Sequence, residues 1–396
     1  MHSQVQVREY TARLIGNDAP SFMLKIAVLS AICVASVYAG PTYTVQDLGS
    51  LGGSYGIPVS INNHGQVVGD TLTAGDQTSH ATAFNTIGGA NVDLGTLGGS
   101  ISYARSINDS GRIVGFAYTA GNTDFHATLY GQLGAPNIDL GTLGGADSFA
   151  TGINSSNLII GYSFLADNNI YHATKFSSNG GPAIDLGNLG IGSSVALALN
   201  NSGQAVGYAQ TNMGIHATIY GMNGGANIDL GTLGGSYSWA MDINDIGQVI
   251  GRSAISGDLY EHATLFSTSG GPNIDLGTLS GGNSIATAIN GHTQIVGYDA
   301  TNNDAFVWQQ GAMESLDALV DPLLGWDITY ALDINDIGQI VAYGYSHDGM
   351  IHGLLLSPTE QVPEPTSFLV ACAALLALRL SRSEYLVAKS FATRER

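Results

Sequence analysis

Two residue types recur at fixed places along this chain, and both are capable of chemistry. Histidine opens a His-Ala-Thr triplet at His80, His126, His172, His216 and His262. Aspartate opens an Asp-Leu-Gly run at Asp47, Asp93, Asp139, Asp185, Asp229 and Asp275. Imidazoles and carboxylates are ligands for zinc and calcium, and they are the usual acids and bases of hydrolysis. Such chemistry requires several of them to converge. Side chains repeated once per structural unit sit one unit apart and do not converge unless they face a common axis. The expectation is therefore structural: in each unit the aspartate bonds neighbouring backbone and the histidine bonds a buried polar group. No His-x-x-x-His pair, cysteine cluster or EF-hand string is present. No metal or cofactor is expected, with Ca²⁺ as the one ion that acidic loops could hold.

Catalysis needs a constellation that occurs once. Between residues 40 and 361 the glutamates are Glu261, Glu314 and Glu360 alone, which disfavours a glutamate pair for glycoside hydrolysis, although aspartate could serve. There is no Gly-x-Ser-x-Gly elbow and no phosphate loop. His64, His292 and His347 lie off the repeat, in turns and loops where a solvated imidazole is expected. The chain is expected not to be an enzyme; the alternative is an extracellular propeller enzyme acting on polysaccharide.

The elements that must position these residues follow one pattern. Asn62, Asn108, Asn154, Asn200, Asn244, Asn290 and Asn335 mark it, at spacings of 46, 46, 46, 44, 46 and 45 residues. A period of about 46 fits propeller blades or helical arrays, and no unit carries the apolar rhythm of a long helix. The fifth unit predicts strands over 238–243, 248–252, 262–266 and 273–276. Its Asn-x-x-Gly turn is a hairpin signal, because Asn bonds its own backbone and Gly supplies positive φ. The third unit has Asn157 in place of that Gly, the next best residue there. The sixth has Thr293, a poor fit, so its turn is expected to differ.

Four residues before the marker Asn stands Ala104, Ala150, Ala196, Ala240, Ala286 or Ala331, with Pro58 in the first unit. Five before it the side chain is large, as in Tyr103, Phe149, Trp239 and Tyr330. Small on one face and large on the other is strand patterning, and it suits an innermost strand crowded near an axis. An orphan fourth strand over 43–48 precedes the first set, and the last set stops after its third strand at 352–356. Each end can complete the other, which removes free edges. The chain is expected to be all-β, a seven-bladed β-propeller of four-stranded blades closed by the N-terminal strand. The alternative is an open β-solenoid, whose end units should be atypical caps.

Charge narrows the partners. Residues 40–361 hold 4 basic and 26 acidic side chains, so nucleic acid is excluded as a partner. The only cysteines, Cys33 and Cys372, lie near the ends, so the body has no disulfide.

The ends read as address labels. Residues 1–39 hold Lys25, an apolar run over 26–37 and small residues to Ala39, a secretory signal cleaved after Ala39 and preceded by a 22-residue extension before Met23. Residues 361–396 hold Pro363, Glu364 and Pro365, an apolar run over 368–378, then Arg379 and Arg382. This resembles the PEP-CTERM sorting signal. The resemblance implies an exosortase-type processing enzyme as partner and a short C-terminal membrane helix with its arginines in the cytoplasm. It also implies an inner-membrane intermediate that ends at the surface of a Gram-negative bacterium. The chain departs from that pattern by continuing for fourteen residues beyond the arginines, SEYLVAKSFATRER.

Over residues 40–360 the recurring His-Ala-Thr, Asp-Leu-Gly-Thr-Leu-Gly-Gly and Ile-Asn-x-x-Gly-Gln runs resemble bacterial extracellular HAF repeats, which implies export and no particular chemistry. The loops between second and third strands vary most and carry Tyr, Phe, Asp and Asn. Asp76, Asp167 and Asp258 are their candidate ligand-face residues. The expected function is a binding or structural module, monomeric, that engages exopolysaccharide or surface proteins of the extracellular matrix.

Overall fold

In the computed structural model of the protein, residues 43–359 are described, Leu133 and Asp348 apart. The signal segment with Ala39, and the sorting segment with Pro363, Glu364, Pro365, Arg379 and Arg382, lie outside the described residues. Among the described residues, no helix is long and apolar enough to cross a membrane.

The described chain folds into seven four-stranded antiparallel sheets. Six are made of consecutive strands. In blade five, for example, these are Gly234–Ile243, Val249–Ile255, Glu261–Phe266 and Ile274–Asp275. The seventh joins Asp327–Ile334, Ile340–Tyr345 and Ile351–Pro358 to Tyr43–Asp47, so both ends of the repeat share one blade. This is a seven-bladed β-propeller closed by its N-terminal strand, and the open solenoid is overturned. Ladder pairs run from Tyr43 with Pro358 to Asp47 with Leu354.

In blades one, two, three and five the innermost strand is longer than its apolar pattern predicts, because the Gly-Gly step already belongs to it. It carries a bulge beyond the alanine column, as between Ala104 and Ser106. The bulge brings the Tyr103 carbonyl down on Gly115, where any Cβ would overlap it. The six alanines four before the Asn are fully buried, as the crowding argument requires. Between neighbouring blades they meet larger side chains, as Ala150 meets Val114, Ile159 and Phe176. Each such large side chain contributes about 1.5–3 kcal/mol by leaving water.

The turn of blade six corrects an expectation. Thr293 adopts φ 62°, in the left-handed region occupied by Gly247 and Asn157. The same two backbone bonds close the turn, Asn290 N–H to Gln294 O at 3.1 Å and Thr293 N–H to Asn290 O at 3.2 Å. Thr293 also donates from Oγ1 to Gln248 Oε1 of the preceding blade at 2.9 Å. Tertiary bonding thus overrides local preference.

Candidate functional site

The repeated histidines and aspartates meet each other. In blade two, His126 Nδ1 lies 2.7 Å from Asp139 Oδ2, while Asp139 Oδ1 accepts the Gly141 N–H at 2.8 Å. The same His–Asp contact joins His80 to Asp93, His172 to Asp185, His216 to Asp229, His262 to Asp275 and His352 to Asp47. Aspartate does bond neighbouring backbone as expected, but the histidine's partner is that half-exposed carboxylate rather than a buried group. The bond to Asp139 raises the His126 pKa despite burial. At Asp139 burial pushes upward, but His126 and the Gly141 N–H outweigh it and hold the carboxyl low. The other letters of the triplet are spent too. The buried Ala127 N–H donates to Ser148 Oγ of the next blade at 2.9 Å, and the wholly buried Thr128 turns its hydroxyl back to the His126 carbonyl.

The Asp-Leu-Gly turns are joints. Gly95 takes φ 71°, and Thr96 Oγ1 closes the turn onto the Gly99 carbonyl at 2.8 Å. Asn137 of the next blade clasps it from outside, donating to the Leu94 and Thr96 carbonyls at 2.9 and 3.1 Å.

The loop aspartates do not converge. Asp76 and Asp258 have φ 55° and 56°, and each accepts a backbone N–H of its own blade at 2.7 Å, from Ser54 and Ser236. Asp167 accepts the Asn169 N–H at 3.1 Å. Asn122 and Asn168 fill the Asp76 position in blades two and three, with bonds of the same length to Ser100 and Ala146. His64, His292 and His347 are exposed.

On the axis, the seven marker asparagines form a closed ring. Each is 3–5% exposed, and each donates from Nδ2 to the backbone carbonyl of the marker Asn in the next blade, at 2.9–3.1 Å. The last bond, Asn335 to Asn62, closes the circle. Beside the ring a funnel of about 200 Å³ opens at the hairpin turns. Asp109, Asp242, Asp245 and Asp336 line it, and no Lys, Arg or His does. Asp242 and Asp333, both two residues before a marker Asn, clasp the next blade. Asp242 Oδ2 accepts the Ile289 N–H at 2.8 Å and Asp333 Oδ2 accepts the Ile61 N–H at 2.9 Å. Burial pushes Asp242 up to about 6. Burial, and then the nearby Asp242 charge, pushes Asp333 up to about 7.

Toward the other end of the innermost strands lies a girdle that does not repeat. Here the large residue five before the marker Asn pairs across the ladder with the residue after the second strand's glycine: Tyr103 with Phe116, Phe149 with Tyr162, Trp239 with Arg252. These side chains are half-buried. Rings touch from blade to blade, Phe116 to Phe149 with centroids 4.8 Å apart, Tyr208 to Trp239 at 6.1 Å, and Tyr298 to Tyr330 at 4.4 Å. Two of the body's four basic residues lie in the girdle. Arg252 sits 4.1 Å over the Trp239 ring and bonds Glu261 at 3.1 Å, and Arg105 lies over Tyr103 and Phe116 and bonds Asp70 at 2.9 Å. Burial raises the Asp70 pKa, against the pull of Arg105. Burial also takes the Tyr208 and Tyr343 hydroxyls up to about 12.

Half of this girdle, the large column, is visible in the sequence as strand alternation on an innermost strand. The other half was visible as the variable position after a near-constant Val-Gly: Asp70, Phe116, Tyr162, Tyr208, Arg252 and Tyr298, with Tyr343 after Ala342.

No family model and no curated protein matches the chain. Solved structures with similar folds include TolB from Acinetobacter baumannii, at a TM-score of 0.42 and 12% identity over 72% of this chain. The match spans 60% of the TolB chain. Another is YCF48 bound to D1 peptide, at a TM-score of 0.49 and 10% identity, covering 82% of this chain and 97% of that one.

Proposed function

We propose that this protein is an exported, non-catalytic binding and structural module of the cell surface, acting within the extracellular matrix or exopolysaccharide layer. One observation carries the reading: the repeated polar side chains are consumed by bonds within and between blades, whereas the girdle varies from blade to blade and stays partly open. A scaffold that satisfies its own repeated groups leaves recognition to the positions that differ. The address labels supply the setting. Export through the signal ending at Ala39, and sorting by an exosortase-type enzyme at Pro363–Pro365, belong to the same proposal, with matrix polysaccharide or surface proteins as partners.

The test is retention of the full chain on cell-matrix fractions, with and without Ca²⁺. Retention on at least one fraction is expected, without need of the ion. Passage through every fraction would sink the reading.

A further inference from the structure

We propose that the girdle is a binding site for a neutral oligosaccharide. Its sugar rings stack on Tyr162, Tyr208 and Trp239, and its hydroxyls bond the free tyrosine hydroxyls and the Arg252–Glu261 pair. This rests on the binding-module reading and gives it a place and a ligand class.

The first argument is the contrast between two kinds of tyrosine. Tyr130 and Tyr220 belong to the scaffold, and each hydroxyl donates toward two backbone carbonyls: Tyr130 to Tyr103 and Phe116 at 2.9 and 3.0 Å, Tyr220 to Val195 and Tyr208 at 2.9 and 2.6 Å. Among the described residues, the hydroxyls of Tyr162, Tyr208, Tyr298 and Tyr343 have no hydrogen-bond partner. Tyrosines spent on packing acquire partners when buried; these keep a donor and an acceptor in hand beside a ring face.

Shape and stacking come next. Tyr208 and Trp239 meet edge to face at 82°, so their faces point in different directions along an arc that begins at Phe149 and Tyr162, stacked at 20°. Rings set at angles suit a chain of sugar units better than one flat ligand. Partial burial immobilises each ring, so little side-chain freedom is lost on binding.

Charge selects the ligand. Each girdle guanidinium already faces a carboxylate, Asp70 or Glu261. The girdle is therefore close to neutral on a body with a large acidic excess, and an anionic glycan or phosphate meets repulsion with no free cation to receive it. A neutral hydroxyl can bond either member of such a pair.

The experiment is calorimetric titration of the full chain with four neutral hexasaccharides (cello-, laminari-, manno- and maltohexaose), with tryptophan fluorescence as a second readout. At least one is expected to bind. Trp239→Ala should weaken it tenfold or more. Tyr208→Phe keeps the ring and removes a hydroxyl that has no partner in the fold, so it should leave thermal stability unchanged and weaken binding severalfold. Ile87→Ala, on an exposed outer loop, should bind as the parent does. No binding of any of the four, unchanged affinity in both girdle variants, or tighter binding of polygalacturonate overturns the site. Retention on matrix that survives Trp239→Ala and Tyr208→Phe removes this proposal and leaves the binding module standing; absence of retention removes the module itself.

Discussion

The two axial aspartates predict that this propeller becomes less stable as pH rises from 5 to 8. Asp333 sits at about 7 and Asp242 at about 6, raised chiefly by burial from an ordinary 3.8. The unfolded chain releases these protons near pH 4, and the folded chain only near 6 to 7. Between those limits the folded state holds more protons, so raising the pH favours unfolding. Integrated from pH 5 to 8, the loss is about 3–4 kcal/mol for the pair. Serine is the informative substitution, because Ser60 and Ser106 occupy the same position in blades one and two. Ser106 Oγ takes the Ile153 N–H at 3.3 Å, so the clasp persists without the charge. The Asp242→Ser/Asp333→Ser variant should lose this share of the dependence while the parent keeps it. Urea unfolding followed by tryptophan fluorescence at pH 5, 6, 7 and 8 measures it. His126, whose raised pKa also withdraws stability as pH rises through it, is common to both proteins and cancels in the difference. Parallel stability curves for the two would refute the reasoning.

Asn335→Ala should cost about 3 kcal/mol, counting about 1 for each of three bonds: to the Asn62 carbonyl, and to and from Gln339. Denaturant midpoints would show it. Thr293→Gly should raise stability by about 0.5–1 kcal/mol, since relief of a left-handed threonine outweighs its bond to Gln248; an unchanged or lower melting temperature would count against it. Gly115→Ala should cost about 3 kcal/mol or abolish folding, because the new methyl overlaps the Tyr103 carbonyl; soluble yield and melting temperature report it.

The architecture was legible because its cause is repetition. A marker Asn every 44 to 46 residues, an alanine four before it and an orphan strand at one end leave few topologies. The Asp-Leu-Gly and His-Ala-Thr runs read as structural from their repetition, and in the fold each aspartate does bond neighbouring backbone, but the direct His–Asp bond is not foreseen. Sequence alone does not show that a third-strand histidine comes to lie against an outer-strand carboxylate thirteen residues on. Thr293 misled because a turn is judged locally, whereas ring bonds on both sides impose this one. The girdle stayed hidden for a different reason. Alternation shows that Tyr103 and Trp239 share a face, but not that this face stays partly open near the axis. Asp242 and Asp333 were masked likewise, among Ser, Gly and Ala at the same place.

Blade six shows what the His–Asp bond is for. It lacks the histidine, and Asp304 instead accepts the Ser315 hydroxyl at 2.7 Å. Its outer strand, Ala312–Ser315, spans four residues where the outer strands of the five preceding blades span two. A clamp of one side-chain pair therefore substitutes for extra ladder. Blade seven, where the closure is not covalent, has both: a five-residue outer strand and the His352–Asp47 contact at 2.8 Å. Like every blade it also bonds its neighbour through the marker asparagine, Asn335 to Asn62, and it shares with blade five an aspartate clasp, Asp333 to the Ile61 N–H. With a longer outer ladder as well as the His–Asp contact, this blade is held more firmly at its outer edge than blades one to five. The Asp333 clasp involves a carboxyl held near 7, so its release should be easier above pH 7 than below it.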